Sequence, residues 1–367
     1  MNRYADNSIT TLQFIAIITG TQVSFGFIDI PYELHEHAGS DGWISLVIGW
    51  LVTTAASLIA IRLMKGYRQG TLLDLLAQYG GRWAGRAVAC VLACYFAIFS
   101  YDGLIYSTRV IKSRILQETP IFITLFLILI PAYMVARNEV RNIGRYSEFA
   151  LLASLWIPFI FSFTLRHANW LYLLPVLPGG WGPVLSTVPH TIYYFLSFFA
   201  SVFLYPYLQK KERAGMAIVI ALTLTLLSFL FISIVCFVFL SPDEFGTIYQ
   251  PAIYLLKTVR LPFLEQVEGM FIVMYLLIFS IAWIPSLYFF SYSVNWTFGR
   301  TDPRLPLRLL IGTIIVSSYF YVPDYWQLIR LNKWLSGFGF GVEYVLPLLL
   351  LALLSMSKRY RAEVKQA

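Results

Sequence analysis

The sequence predicts an all-α integral membrane fold of ten transmembrane helices in two sets of five, and three observations carry that expectation. Hydrophobic residues fill 58% of the 367 positions and charged residues only 13%. Soluble domains carry about 25% charge, so this chain has too little polar surface to clothe a water-soluble globule. Stretches without Asp, Glu, Lys or Arg run over 7–28, 42–61, 87–101, 119–136, 149–165, 167–209, 214–242, 269–299, 309–323 and 344–357. A crossing needs about 20 apolar residues, and each stretch supplies one. The cations are also unevenly placed. With the N-terminus cytoplasmic, Arg109, Lys112, Arg114, Arg166, Lys257, Arg260, Arg330 and Lys333 face outward and the rest of the 27 Lys and Arg face inward. Lys and Arg concentrate on the cytoplasmic side of membranes, which favours ten crossings with both termini cytoplasmic.

In chain order, the first apolar stretch has no small-residue cleavage site after it and reads as a retained span. Between the second and third spans, Thr71 to Tyr79 forms a short amphipathic element capped by Thr71 and stopped by Gly80-Gly81. It is expected to lie on the membrane beside Arg82 and Arg86. The third span continues past Asp102 to Thr108. In 167–209, the run Pro175, Pro178, Gly179, Gly180, Trp181, Gly182 and Pro183 reads as loop, which puts the sixth crossing at about Ser186 to Tyr207. After the seventh span, Ser241-Pro242-Asp243-Glu244 starts a loop helix with Pro at its first position, continuing through Pro251 to Pro262 on the outer face. The tenth span extends upstream past Glu343.

Ten spans divide into repeats of about 7–165 and 186–358 within one transmembrane domain, and because five is odd the second repeat is inverted relative to the first. The first span of each repeat carries helix-weakening residues. Gly20, Thr21, Gln22, Ser24, Gly26, Asp29 and Pro31 cluster in span one, and Ser197, Ser201 and Pro206 in span six. Backbone groups freed in hydrocarbon cost several kcal/mol each unless paired, so a broken helix survives only inside protein or beside a polar cavity. Free N–H groups near Ser24 to Gly26 would suit a carboxylate, and freed carbonyls near Phe195 to Ser197 an ammonium. Together they describe a site for a zwitterionic amino acid. The alternative is that Gly20 and Gly26 only let helices pack closely.

Other candidates add to this site. Asp29 beside the first break is either a ligand group or a solvated mouth residue, since an ionisable group at membrane depth is a functional hypothesis by default. Tyr101 in span three can close a small site with its hydroxyl satisfied. Its neighbour Asp102 shares roughly one helix face with Arg109. Tyr194, Ser197 and Ser201 surround the second break, and Tyr275 and Glu268 belong to span eight. The latter stands at the outer end, where the helix dipole alone favours an acid. His35, His37, His167 and His190 are scattered near the outer face, and Cys90, Cys94 and Cys236 form no CxxC, so neither a metal site nor a cofactor is expected. No phosphate-binding loop, HExxH or Gly-x-Ser-x-Gly occurs, and the chain is not expected to be an enzyme. The formal charge of +8 follows from membrane topology, and no nucleic-acid partner is inferred.

Several motifs resemble one family. Ile9-Thr-Thr-Leu-Gln13, Gly20 through Pro31, Ala38-Gly-Ser-Asp-Gly-Trp-Ile-Ser45, Tyr79-Gly-Gly-Arg-Trp83, Phe263-Leu-Glu-Gln-Val-Glu-Gly269 and Tyr319-Phe-Tyr-Val-Pro323 are similar to the endospore germination permeases. These are the B subunits of nutrient germinant receptors, within the amino acid/polyamine/organocation superfamily. The resemblance implies a leucine-transporter-type inverted repeat with broken helices 1 and 6, and a small germinant such as an amino acid bound between spans one, three, six and eight. It implies A and C subunits as partners and the spore inner membrane as location. The chain departs from the family at span six, where a Gly-Glu pair is common and Phe195 to Phe203 holds neither residue. A sodium- or proton-coupled amino acid transporter is the alternative reading.

Overall fold

A computed structural model describes residues 7–67, 70–197, 200–259, 267–300 and 302–355. Within them the chain is helical: α1 Thr11–Gly26, α2 Ile30–Ala38, α3 Gly42–Lys65, α4 Leu72–Arg114, α5 Ile121–Ala136, α6 Val140–Ala153, α7 Ile157–Thr164, α8 Trp181–Tyr194, α9 Ala200–Leu204, α10 Ala214–Phe239, α11 Pro242–Phe245, α12 Pro251–Thr258, α13 Val267–Phe298, α14 Arg304–Phe320, α15 Tyr325–Phe340 and α16 Leu346–Ser355. A π-helical turn, Gly341–Val345, joins α15 to α16. Joining α1 to α2, α6 to α7, α8 to α9 and α15 to α16 across their interruptions gives ten crossings with the other long helices, while α11 and α12 are loop helices.

Local sequence sets the boundaries. The Ile9 to Gln13 motif is a capping box, in which the Gln13 N–H donates to Thr10 Oγ1 and the Thr10 N–H donates to Gln13 Oε1, satisfying two otherwise orphan donors of α1. Beside it, the Ile9 N–H donates to the Tyr207 carbonyl at 2.9 Å, and the Gln209 N–H to the Ile9 carbonyl at 3.1 Å. The start of span one is thereby tied to the end of span six. The Ala38 to Ser45 motif is also an anchor, because Asp41 accepts the Leu177 N–H and Ser45 donates to the Val184 carbonyl. Thr71 caps α4 with Asp74. The helix does not end at the glycine pair; it kinks at Gly81, whose φ of +85° is open to glycine at little steric cost.

α1 lies inside the bundle against α6, α10 and α13, α4 pairs with α13, and α2 packs on α8. Trp283, Tyr275, Phe195, Phe203 and Phe229 are fully buried at its centre. Leu51, Phe126, Phe159, Leu227 and Leu309 are exposed on its outside, a surface suited to hydrocarbon and not to water.

Three expectations need correction. α1 stays helical through Gly20 and Gly26, and the interruption falls at Phe27 to Asp29. The sixth crossing begins at Trp181 instead of Ser186, since a positive-φ Gly180 ends the loop and frees the following Trp-Gly-Pro to form a first helical turn. The single external loop helix is two short ones, α11 and α12; Pro262 lies outside the described residues, as do Glu265, Arg3, Arg68, Arg260 and the basic residues after Ser355.

Candidate ligand site at the broken helices

The two interrupted spans meet. Gln22 on α1 donates from Nε2 to the Phe195 carbonyl at 2.7 Å and accepts from Thr225 Oγ1 at 2.7 Å. The carbonyl expected to await an ammonium is therefore already held, by a side chain 1% exposed. Burying such an acceptor unpaired would cost about 1–3 kcal/mol, which explains why a glutamine sits in this apolar helix. On the other side, the Tyr275 hydroxyl donates to the Ser24 carbonyl at 3.2 Å and, at 2.9 Å, to the Val23 carbonyl, which also accepts the Phe27 N–H.

The first break also differs from expectation in its electrostatics. The outer half-helix begins at Ile30, so its positive end faces Asp29, not Ser24 to Gly26. Asp29 is in the N-cap position, and its Oδ2 accepts the Tyr106 hydroxyl at 2.7 Å. The chain thus supplies its own carboxylate where the carboxylate of a ligand was expected to sit, an arrangement the helix dipole favours.

The second break is sharper. Ser197 has φ +82°, a conformation that costs a non-glycine residue of order 1–2 kcal/mol. Its N–H donates to Glu343 Oε1 at 2.8 Å, and Tyr95 donates to the same oxygen at 3.4 Å. Glu343 is 1% exposed and belongs to the π-helical turn of the tenth span. A π-turn inserts an extra residue and re-aims the side chains around it, which brings this carboxylate to the break in span six. Beside it lies a cavity of about 20 Å³ lined by Thr21, Tyr95, Phe96, Phe99, Ser197, Ala200, Pro285, Ser286, Phe289 and Glu343. That is room for about one water. A larger open cleft of about 830 Å³ lies at the far end of α4, with Arg109, Lys112, Lys257, Tyr249 and Trp326 in its wall. Tyr106 links this cleft to the break in span one, since it lines the cleft and donates to Asp29.

Of the residues expected at the site, Thr21 and Ser197 line the small cavity, while Gln22, Ser24, Asp29 and Tyr275 satisfy broken backbone or stand beside it. Ser24 donates to the Thr21 carbonyl at 2.7 Å. Gly20 and Gly26 are close-approach positions: a Cβ would stand 2.7 Å from Ile281 at the first and 2.4 Å from the Phe229 ring at the second. Tyr194 packs on Phe229 and Ser201 is buried. Half-buried Tyr101 lies outside the cavity wall. Glu268 opens α13, about 10 Å along the axis from Tyr275. Tyr95, Phe96, Phe99, Ala200, Ser286, Phe289 and Glu343 were not expected as lining. The lone acid of an apolar run was the readable signal for Glu343; the aromatics look like any packing residue.

Helices interrupted at the first and sixth crossings, with a small, largely aromatic cavity beside the second interruption, define a membrane protein of transporter architecture. Solved structures agree: the crystal structure of MhsT in complex with L-phenylalanine superposes with a TM-score of 0.68 over 96% of this chain and 91% of that one at 14% identity. A substrate-bound outward-open Na⁺-coupled sialic acid symporter gives 0.68 over 91% and 77% at 11% identity. The fold is the leucine-transporter type. The model of the spore germination protein family matches residues 8–324, and the chain belongs to that family. Among curated relatives, spore germination protein A2 of Bacillus subtilis (strain 168) is 22% identical over 358 residues, covering 96% of each chain. Spore germination protein YndE of the same organism is 24% identical over 361 residues, covering 96% of this chain and 98% of that one.

Proposed function

We propose that this chain is the membrane subunit of a nutrient-germinant receptor, which binds an amino acid or similarly small germinant between the interrupted spans and passes a conformational bias to A and C subunits in the spore inner membrane. The observation that carries the reading is the polar closure of the second break, where Ser197 and Glu343 meet beside the small cavity. A ligand binding there must widen the cavity and re-partner groups that now hold one another. A shift between two such states is what a sensor transmits, in proportion to the ligand's differential affinity for them. The cleft above Tyr106 is the route of approach, both termini are cytoplasmic, and no chemistry is catalysed.

The test is nutrient-triggered germination of spores carrying substitutions at Thr21, Ser197 and Ser286, which line the cavity. Altered ligand dependence in at least one supports the site, and wild-type dependence in all three removes it. The fold itself favours a second reading, a coupled amino acid transporter working by alternating access. Net uptake of labelled amino acid into liposomes by the purified chain alone would decide for transport over sensing.

A further inference from the structure

The outer half of span one and the first half of span six carry a cluster that the ligand site does not use. Glu33 and His37 stand one turn apart on α2, with His37 Nε2 3.3 Å from Glu33 Oε2. His190 of α8 brings Nδ1 to 3.8 Å from the same oxygen, and the two imidazole rings lie 4.0 Å apart between centroids. One donor atom from each residue falls within 4.8 Å of the others. Residue spacing does not reveal this cluster, because His37 and His190 belong to different repeats and only the α2–α8 contact unites them.

An ordinary i,i+4 pair explains Glu33 with His37. It does not explain a second imidazole converging on the same oxygen. Glu33 Oε2 is shielded from solvent and has no hydrogen-bond partner, an uncomfortable state for a carboxylate oxygen flanked by two nitrogens. A divalent cation relieves it. Zinc binds imidazole nitrogen and carboxylate oxygen at about 2.0–2.2 Å, which places tetrahedral ligand atoms about 3.3 Å apart, and the separations of 3.3 Å and 3.8 Å from Glu33 Oε2 already approach that spacing. The nearby charges of Glu36 and Lys333 oppose each other, and Glu33 leaves the locality net acidic. Both imidazoles are exposed, so an ion reaches them from solvent.

We propose that Glu33, His37 and His190 form a divalent-metal site, suited to zinc, that clamps α2 to α8. Two imidazoles and one carboxylate leave the fourth tetrahedral position to water. The clamp joins the outer parts of the two discontinuous spans, and its occupancy is a property of the chain whichever small molecule the interior binds.

The test uses the full-length chain, free of any histidine tag, in lipid nanodiscs titrated with zinc chloride by calorimetry. One zinc per chain is expected. His37→Ala and His190→Ala should each weaken it at least tenfold, and His167→Ala should leave it unchanged. Zinc should raise the melting temperature of the wild type and not that of His190→Ala. Both exposed histidines can be replaced without disturbing the core, and equal metal-free melting temperatures verify this; His190→Gln serves if the alanine variant melts early. Absence of saturable binding, or binding of undiminished affinity in the His37→Ala/His190→Ala double variant, overturns the proposal.

Discussion

Glu343 in the tenth span accepts the Ser197 N–H in the break of the sixth at 2.8 Å, so a carboxylate from the last crossing closes the interruption in the first crossing of the same repeat. Removing it strands a part-buried donor. Glu343→Ala is expected to destabilise the chain by about 1–3 kcal/mol, and Glu343→Gln, which keeps an acceptor oxygen, by less. Thermal unfolding of the purified protein in detergent measures the order of the two variants.

Ser197 holds a backbone conformation made for glycine. Ser197→Gly should stabilise the protein by up to about 1 kcal/mol, while Ser197→Val should destabilise it by more, because a β-branched residue is the least tolerant of positive φ. A Ser197→Gly variant that melts below wild type would show that the hydroxyl matters more than the backbone.

Gln22 links the Phe195 carbonyl to Thr225. Gln22→Leu should cost about 1–3 kcal/mol by leaving that carbonyl unpaired. Combined with Thr225→Val the loss should fall short of the sum of the single losses, because the two residues share one network. Strict additivity in the same unfolding measurement would contradict the link.

Gly26 faces the Phe229 ring where a Cβ would stand at 2.4 Å. Gly26→Ala should destabilise the helix crossing by about 1–3 kcal/mol through overpacking, and Phe229→Leu in the same chain should recover part of it. Without recovery, the glycine serves something other than close approach.

Much of this architecture was legible in the residues. Uncharged runs located the crossings, and the Thr71, Ser241 and Pro242 signals found real helix starts. The glycines misled: Gly20 and Gly26 read as unwinding, yet their lack of a side chain is used to bring Ile281 and Phe229 close, and the chain breaks just beyond, at Phe27 to Asp29. Local sequence shows that a glycine is permissive, not whether its freedom goes to backbone or to packing. The site was half legible for a similar reason. Thr21 and Ser197 stand out as polar residues in apolar spans, but Tyr95, Phe99 and Phe289 become lining only through tertiary placement. Span six is the sharpest case: Ser197 takes a positive-φ conformation and Glu343 brings a carboxylate to it from far along the chain, a pairing no single segment reveals.

The most direct test of a ligand site at the broken helices is binding of labelled amino acids to the purified chain in nanodiscs, wild type against Ala200→Phe. Ala200 lines the small cavity, and a phenyl group there fills the space a ligand must open. A site between the spans predicts saturable binding of at least one amino acid to the wild type and its loss in Ala200→Phe, assayed below that variant's own melting temperature, which overpacking lowers. Binding of equal affinity by both proteins, or by neither, would contradict it.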